Sequence, residues 1–182
     1  GFDASWSDTG EQLICQDTMQ SILQRAVKDQ VRTVVLHGFF VRAFNGGLRL
    51  TGTGDIAHQA RATLELLSKA DIRTIVVLDV PVLPFEPSTC VARPALKHMV
   101  RAPCAFPRQD WRKQSESTSA ALLSAGVGLN NVSFFDPALV LCDDRVCHAE
   151  RDGKLLYLDT HHLSAAGVAL VGAQLARQIG TP

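Results

Sequence analysis

Thr74-Ile75-Val76-Val77-Leu78-Asp79-Val80 is an almost unbroken apolar, β-branched run, and Val31-Arg32-Thr33-Val34-Val35-Leu36 is a second one earlier in the chain. Neither alternates apolar and polar residues as a half-solvated antiparallel strand does; both have the composition of strands covered on both faces in a parallel sheet. Helical spacing surrounds them. Glu11 to Lys28 repeats Leu13, Ile14, Met19, Ile22, Leu23, Ala26 and Val27, and Asp55 is placed to cap a helix to Lys69 that carries Ile56, Ala60, Thr63, Leu64 and Leu67 on one side. Gln109 to Ser124 is again helical in spacing. A short strand, Val132 to Phe135, ends at Asp136-Pro137, and Ser164 to Ile179 has the stripe of a helix packed on a sheet. The alternation predicts one α/β domain over residues 1–182, a parallel sheet with helices on both faces and ligands at the carboxyl ends of its strands.

Three stretches break the pattern. Gly38 to Gly54 is irregular and glycine-containing, Pro81 to Pro107 is proline-rich and expected to hold little regular structure, and Cys142 to Leu158 reads as a hairpin or loop bracketed by cysteines. Gly1 to Gly10 is polar, and no strand is evident before the first helix, so the first strand of the sheet is expected to lie outside this sequence.

With 182 residues, 46% hydrophobic and 20% charged, the chain can bury one sizeable core. Eighteen basic residues balance eighteen acidic ones, so no overall field draws it to nucleic acid or to an anionic membrane. Its apolar runs fall well short of the roughly 20 residues that span a bilayer, and no export leader opens the chain. The cysteines nevertheless favour export. Cys90 with Cys104, and Cys142 with Cys147, are close enough for short disulfide loops, which leaves Cys15 to find a partner upstream of Gly1. A zinc site is the weaker reading of the same cysteines, because no CxxC pair or histidine cluster accompanies them. No metal or cofactor is expected.

Chemistry concentrates in Leu155-Leu156-Tyr157-Leu158-Asp159-Thr160-His161-His162-Leu163-Ser164, directly before the last helix. A carboxylate three residues from an imidazole on a turn can accept the Nδ1 proton and leave Nε2 as a general base. Asp159 and His162 hold that spacing, while Ser164 is placed to cap the helix. The competing reading is a capping turn with an incidental histidine.

The Asp-x-x-His-Leu-Ser block resembles the final block of SGNH, or GDSL-type, hydrolases, whose aspartate orients the histidine that activates a serine. The resemblance extends through Val80-Pro81-Val82-Leu83, Cys90, Arg93, Asp136-Pro137, Cys142, Cys147, Gly153 and Tyr157. This arrangement is similar to the SGNH domains fused behind membrane-embedded acyltransferase family three proteins, which O-acetylate bacterial surface polysaccharides. The resemblance implies a three-layer, flavodoxin-like fold and a periplasmic or extracellular place, tethered to the inner membrane through the parent protein. It also implies acyl transfer to or from carbohydrate hydroxyls, as O-acetyltransferase or acetylesterase, with His162 as base and Asp159 as its orienter. The implied partners are a polysaccharide or other acylated carbohydrate and an upstream acyltransferase domain of the same polypeptide. His161, two residues from Asp159, is the rival base.

Two departures from the family pattern stand out. No Gly-Asp-Ser occurs in the chain, and neither Ser5 nor Ser7 follows an apolar strand, so the nucleophile is expected upstream of Gly1. Where typical members offer Gly-x-Asn to an oxyanion, this chain reads His37-Gly38-Phe39-Phe40. Gly38 is the candidate backbone donor; Asn45, beside Gly46 and Gly47, is the second candidate and suits a turn better. The alternative function is a catalytically degenerate SGNH-like module that binds carbohydrate or acts as a scaffold. His58 and His98 read as surface positions, Arg93 and Arg101 as loop solubilisers, and Trp111 as core.

Overall fold

The computed structural model describes residues 9–38, 40, 56–91 and 104–180. Asn45, Ser5, Ser7, Arg93, His98 and Arg101 lie outside the described residues, as does the side chain of Cys15. The chain divides into two compact units, Gly1–Asp79 with Gln114–Phe135, and Val80–Lys113 with Asp136–Pro182.

The first unit contains helix α1 (Thr9–Lys28), strand β1 (Thr33–His37), helix α2 (Ile56–Lys69), strand β2 (Arg73–Val77), most of helix α3 (Arg108–Ala125) and strand β4 (Val132–Phe135). Its sheet has the order β1-β2-β4 with every pairing parallel, Val35 opposite Ile75 and Val76 opposite Phe134. The α/β reading with a parallel sheet therefore holds. Helix α2 buries Ile56, Ala60, Thr63, Leu64 and Leu67, the stripe its spacing predicts. Ile56, Ala60, Leu64 and Leu67 join Leu36, Ile72, Val76 and Leu122 in one core. The turn from α2 into β2 is tied by Asn131, whose Nδ2 donates to the Ile72 carbonyl (2.9 Å) while its Oδ1 accepts from Ser68 Oγ (2.7 Å).

One expectation changes. Strand β2 is central and buries Thr74 to Val77, but β1 stands at the edge of the described sheet and its Val35 is 40% exposed. The two runs have similar composition; what separates them is the number of paired neighbours, which composition does not encode.

The second unit opens with a loop containing a single 3₁₀ turn, Pro87–Cys90. It continues into β3 (Ala105–Pro107), which pairs antiparallel with β5 (Val146–His148), Phe106 opposite Cys147. That strand lies inside the stretch expected to lack regular structure. Helix α4 (Ala138–Leu141) follows Asp136, whose Oδ1 accepts the Ala138 N–H (2.9 Å). The hairpin of β6 (Glu150–Arg151) and β7 (Lys154–Leu155) turns on Asp152 and Gly153, with φ of 54° and 76°. Both central residues of this two-residue loop are left-handed, and Asp-Gly is the pair that tolerates it. Helix α5 (Ala165–Gly180) completes the unit. Trp111 is buried here, as its helical position predicts.

Cys142 and Cys147 form a disulfide across a separation of five residues. Closing so short a loop removes about 2 kcal/mol of unfolded-chain freedom. Cys90 and Cys104, the second expected pair, carry no disulfide in this structure; Cys90 is buried, with the Cys104 thiol as its hydrogen-bonding neighbour. Burial first, and that neighbour second, push the Cys90 thiol up to about 12.

Inside the disulfide loop, Asp143 Oδ1 accepts the N–H groups of Val146 (2.8 Å) and Arg145 (2.7 Å), and Oδ2 lies 2.8 Å from His148 Nε2. These bonds hold its carboxyl at about 2, below the ordinary 3.8. A depressed folded-state pKa contributes stability above the unfolded value that is lost as pH falls through the folded one. Asp143→Asn is therefore expected to melt below the wild type at pH 7, with the gap closing between about pH 4 and pH 2. Thermal melts across that range check it; a gap that does not change with pH would rule out the carboxylate as its source.

Candidate active site on the Asp159–His162 turn

Residues 155–164 fold back on themselves through main-chain bonds within the second unit. Leu158 N–H donates to the His162 carbonyl (2.8 Å), Ser164 N–H to Leu156 (2.9 Å), Leu156 N–H to Ala149 (2.8 Å), and Leu83 N–H to Thr160 (2.8 Å). Tyr157 and Leu163 form an antiparallel bridge across the neck. Ser164 Oγ donates to the Leu155 carbonyl (2.6 Å) and accepts the Gly167 N–H (3.3 Å), capping α5. Gly167 itself sits so close that an added Cβ would lie 2.1 Å from the Leu156 carbonyl oxygen.

At the tip of this turn Asp159 accepts three bonds. Oδ1 takes the backbone N–H of His161 (2.9 Å) and of His162 (2.8 Å), and Oδ2 lies 2.7 Å from His162 Nδ1. The His161 N–H first, then the His162 ring and N–H, hold the Asp159 carboxyl far below the usual carboxylate range. An ionised Asp159 fixes the proton of neutral His162 on Nδ1, so Nε2 is the nitrogen left to accept one, on a side chain 65% exposed. His161 points its Nδ1 at Thr160 Oγ1 (3.1 Å) and stands farther from Asp159 Oδ1, at 3.5 Å.

The turn brings Asp159, His161 and His162 together. Gly38 stands in the first unit just past the carboxyl end of β1. Two features there and in the second unit escape a reading of the sequence. Asp79, 4% exposed at the end of the β2 run, accepts the Phe40 N–H at 2.8 Å and so anchors Phe40. The Asp143–His148 pair is the other; a charged residue closing an apolar run was the only signal for Asp79, and for Asp143 there was only its place beside Cys142.

Tyr157, 1% exposed, lies under the turn, and its hydroxyl has no hydrogen-bond partner among the described residues. Burial pushes its ionisation well above the ordinary tyrosine value. A buried unpaired hydroxyl is a net cost, so Tyr157→Phe is expected to stabilise the fold by about 1 kcal/mol in urea denaturation. A loss of stability instead would reveal a partner such as a bound water.

A family model described as "SGNH domain (fused to AT3 domains)" matches residues 2–177. No curated protein matches. Among solved structures, the chain is similar to the periplasmic domain of the lipopolysaccharide acetyltransferase of Salmonella ser. Paratyphi A, with a TM-score of 0.60 at 14% identity. The likeness, which is one of fold, covers 88% of this chain and 61% of that one, so the chain spans less than two thirds of that structure.

Proposed function

Because the chain belongs to the SGNH domain family that occurs fused to AT3 domains, we propose that it carries the base half of an acyl-transfer site acting on carbohydrate esters. The carrying observation is the 2.7 Å contact of His162 Nδ1 with Asp159 Oδ2, on a carboxylate already held ionised by two backbone N–H groups. His162 is the general base and Asp159 its orienter. The nucleophile in this reading is a serine outside residues 1–182, which contain no Gly-Asp-Ser.

Nε2 of His162 takes the serine proton as Oγ attacks the acyl carbon. Collapse of the tetrahedral adduct breaks the donor's C–O bond, and the imidazolium returns the proton to the departing alkoxide. A sugar hydroxyl or water then gives its proton to Nε2 and attacks the acyl-serine; as the acyl C–Oγ bond breaks, the imidazolium returns that proton to Oγ, restoring serine and base. Gly38 N–H is the proposed oxyanion donor from this chain. Transfer and hydrolysis use the same residues and differ in whether water is kept out. A fused membrane acyltransferase domain delivering acetyl groups would favour transfer to a surface polysaccharide, and the proposed location of the domain is the periplasm. Among the described residues no helix is long and apolar enough to cross a membrane.

The test is turnover of an aryl acetate by the protein extended to include its upstream polypeptide, with titration calorimetry on acetylated and plain glycans beside it. Turnover that depends on a serine upstream supports the reading. Glycan binding without turnover would replace it with a binding module.

A further inference from the structure

We propose that Asp159, His161 and His162 also form a binding site for a first-row transition-metal dication of the Zn²⁺ class, and that its occupation switches the site off. The inhibitory part rests on His162 being the base; the binding part does not. Nitrogen and oxygen atoms of the three side chains all lie within 4.8 Å of one another. His162 Nδ1 is 2.7 Å and His161 Nδ1 3.5 Å from the two oxygens of the Asp159 carboxylate. A tetrahedral zinc ion with ligands at 2.0–2.2 Å separates them by roughly 3.3–3.5 Å, so both His–Asp159 pairs are within an ångström of that spacing and the whole set within roughly 1.5 Å of it.

The chemistry of the donors agrees. Two imidazoles and one carboxylate, with a fourth position open to water, form a set that borderline metals prefer over calcium or magnesium. The carboxylate is already ionised, and the backbone bonds that fix the turn pre-arrange the three groups. The site is also reachable, with side-chain exposures of 43%, 27% and 65% for Asp159, His161 and His162. The two rings lie 4.1 Å apart and are tilted by 43°, so they are neighbours that the turn holds on one side of the chain.

Metal and catalysis exclude each other at His162. Binding through Nδ1 expels the proton that His162 shares with Asp159, and binding through Nε2 occupies the lone pair that accepts the serine proton. His161 has no part in proton transfer, so it separates the two roles.

The experiment uses the full-length, tag-free protein, with Zn²⁺ binding followed by competition against a chromogenic chelator and aryl acetate turnover followed at graded Zn²⁺. The wild type is expected to bind zinc and lose turnover in parallel, with recovery on adding EDTA. His161→Ala and His161→Gln are expected to keep metal-free turnover but weaken binding and raise the inhibitory zinc concentration together, by about tenfold or more. Unchanged zinc binding in both variants would overturn the site. Binding lost in the variants while zinc leaves wild-type turnover intact would overturn the switch. If no form turns over ester yet the variants lose zinc, the site stands and the acyl-transfer reading falls.

Discussion

His162→Ala is expected to lower kcat for aryl acetate turnover by the full-length protein by about 10³- to 10⁴-fold, with KM little changed. At about 1.4 kcal/mol per decade, that is a loss of about 4–5.5 kcal/mol of transition-state stabilisation. The imidazole of His162 is 65% exposed and the base to which Nε2 belongs has no stand-in, because His161 Nδ1 faces Thr160 and lies 3.5 Å from Asp159. Asp159→Asn separates orientation from presence. The amide can keep an oxygen toward the two backbone N–H groups, but it then turns an NH₂ toward His162 Nδ1, which favours the tautomer with the proton on Nε2. It should lose activity on the same scale and, like Asp143→Asn, melt somewhat below the wild type at pH 7, because the depressed carboxyl of Asp159 contributes stability there. Full activity in His162→Ala would sink the assignment, and loss in His161→Ala instead would transfer it to the neighbouring ring.

Gly167→Ala carries the largest expected effect on stability. A helical glycine replaced by alanine ordinarily gains up to about 1 kcal/mol. Here the new Cβ would meet the Leu156 carbonyl oxygen at 2.1 Å. That oxygen cannot step aside freely, because it accepts the Ser164 N–H and its residue's own N–H is bonded to Ala149. The cost should reach about 3 kcal/mol, the upper end for overpacking. Gly172 in the same helix has nothing within 4 Å of an added Cβ, so Gly172→Ala is the internal control and should stabilise. Chemical denaturation of both variants decides the matter; opposite signs are the expected pattern, and two stabilising substitutions would refute the close approach. Gly167→Ala should also depress turnover, since the helix start and the catalytic turn share the Leu156 carbonyl.

Much of this was legible in the residues, for local reasons. The stripe of α2 and the extent of β4 follow from spacing within one element, and the Asp159–His162 contact follows from three-residue spacing in a turn. What was not legible depends on distant partners. Ala105-Phe106-Pro107 is too short to announce a strand and becomes one only by pairing with Val146–His148. The exposure of Val35 depends on which strands flank β1, and the use of Asp79 depends on an N–H thirty-nine residues away at Phe40. The thiol pair of Cys90 and Cys104 shows the same limit from the other side, since spacing can bring two sulfurs near without stating their oxidation state.

The neck of the turn that carries Asp159 and His162 is closed by main-chain bonds, through Leu158 to His162, Ser164 to Leu156, Leu156 to Ala149 and Leu83 to Thr160. Main-chain bonds are indifferent to side-chain identity. Leu158, 72% exposed beside Asp159, can therefore change without moving the imidazole. The fold thereby separates what must be inherited unchanged from what is open to drift: exposed side chains around the turn can vary while the peptide groups at its neck keep the loop closed.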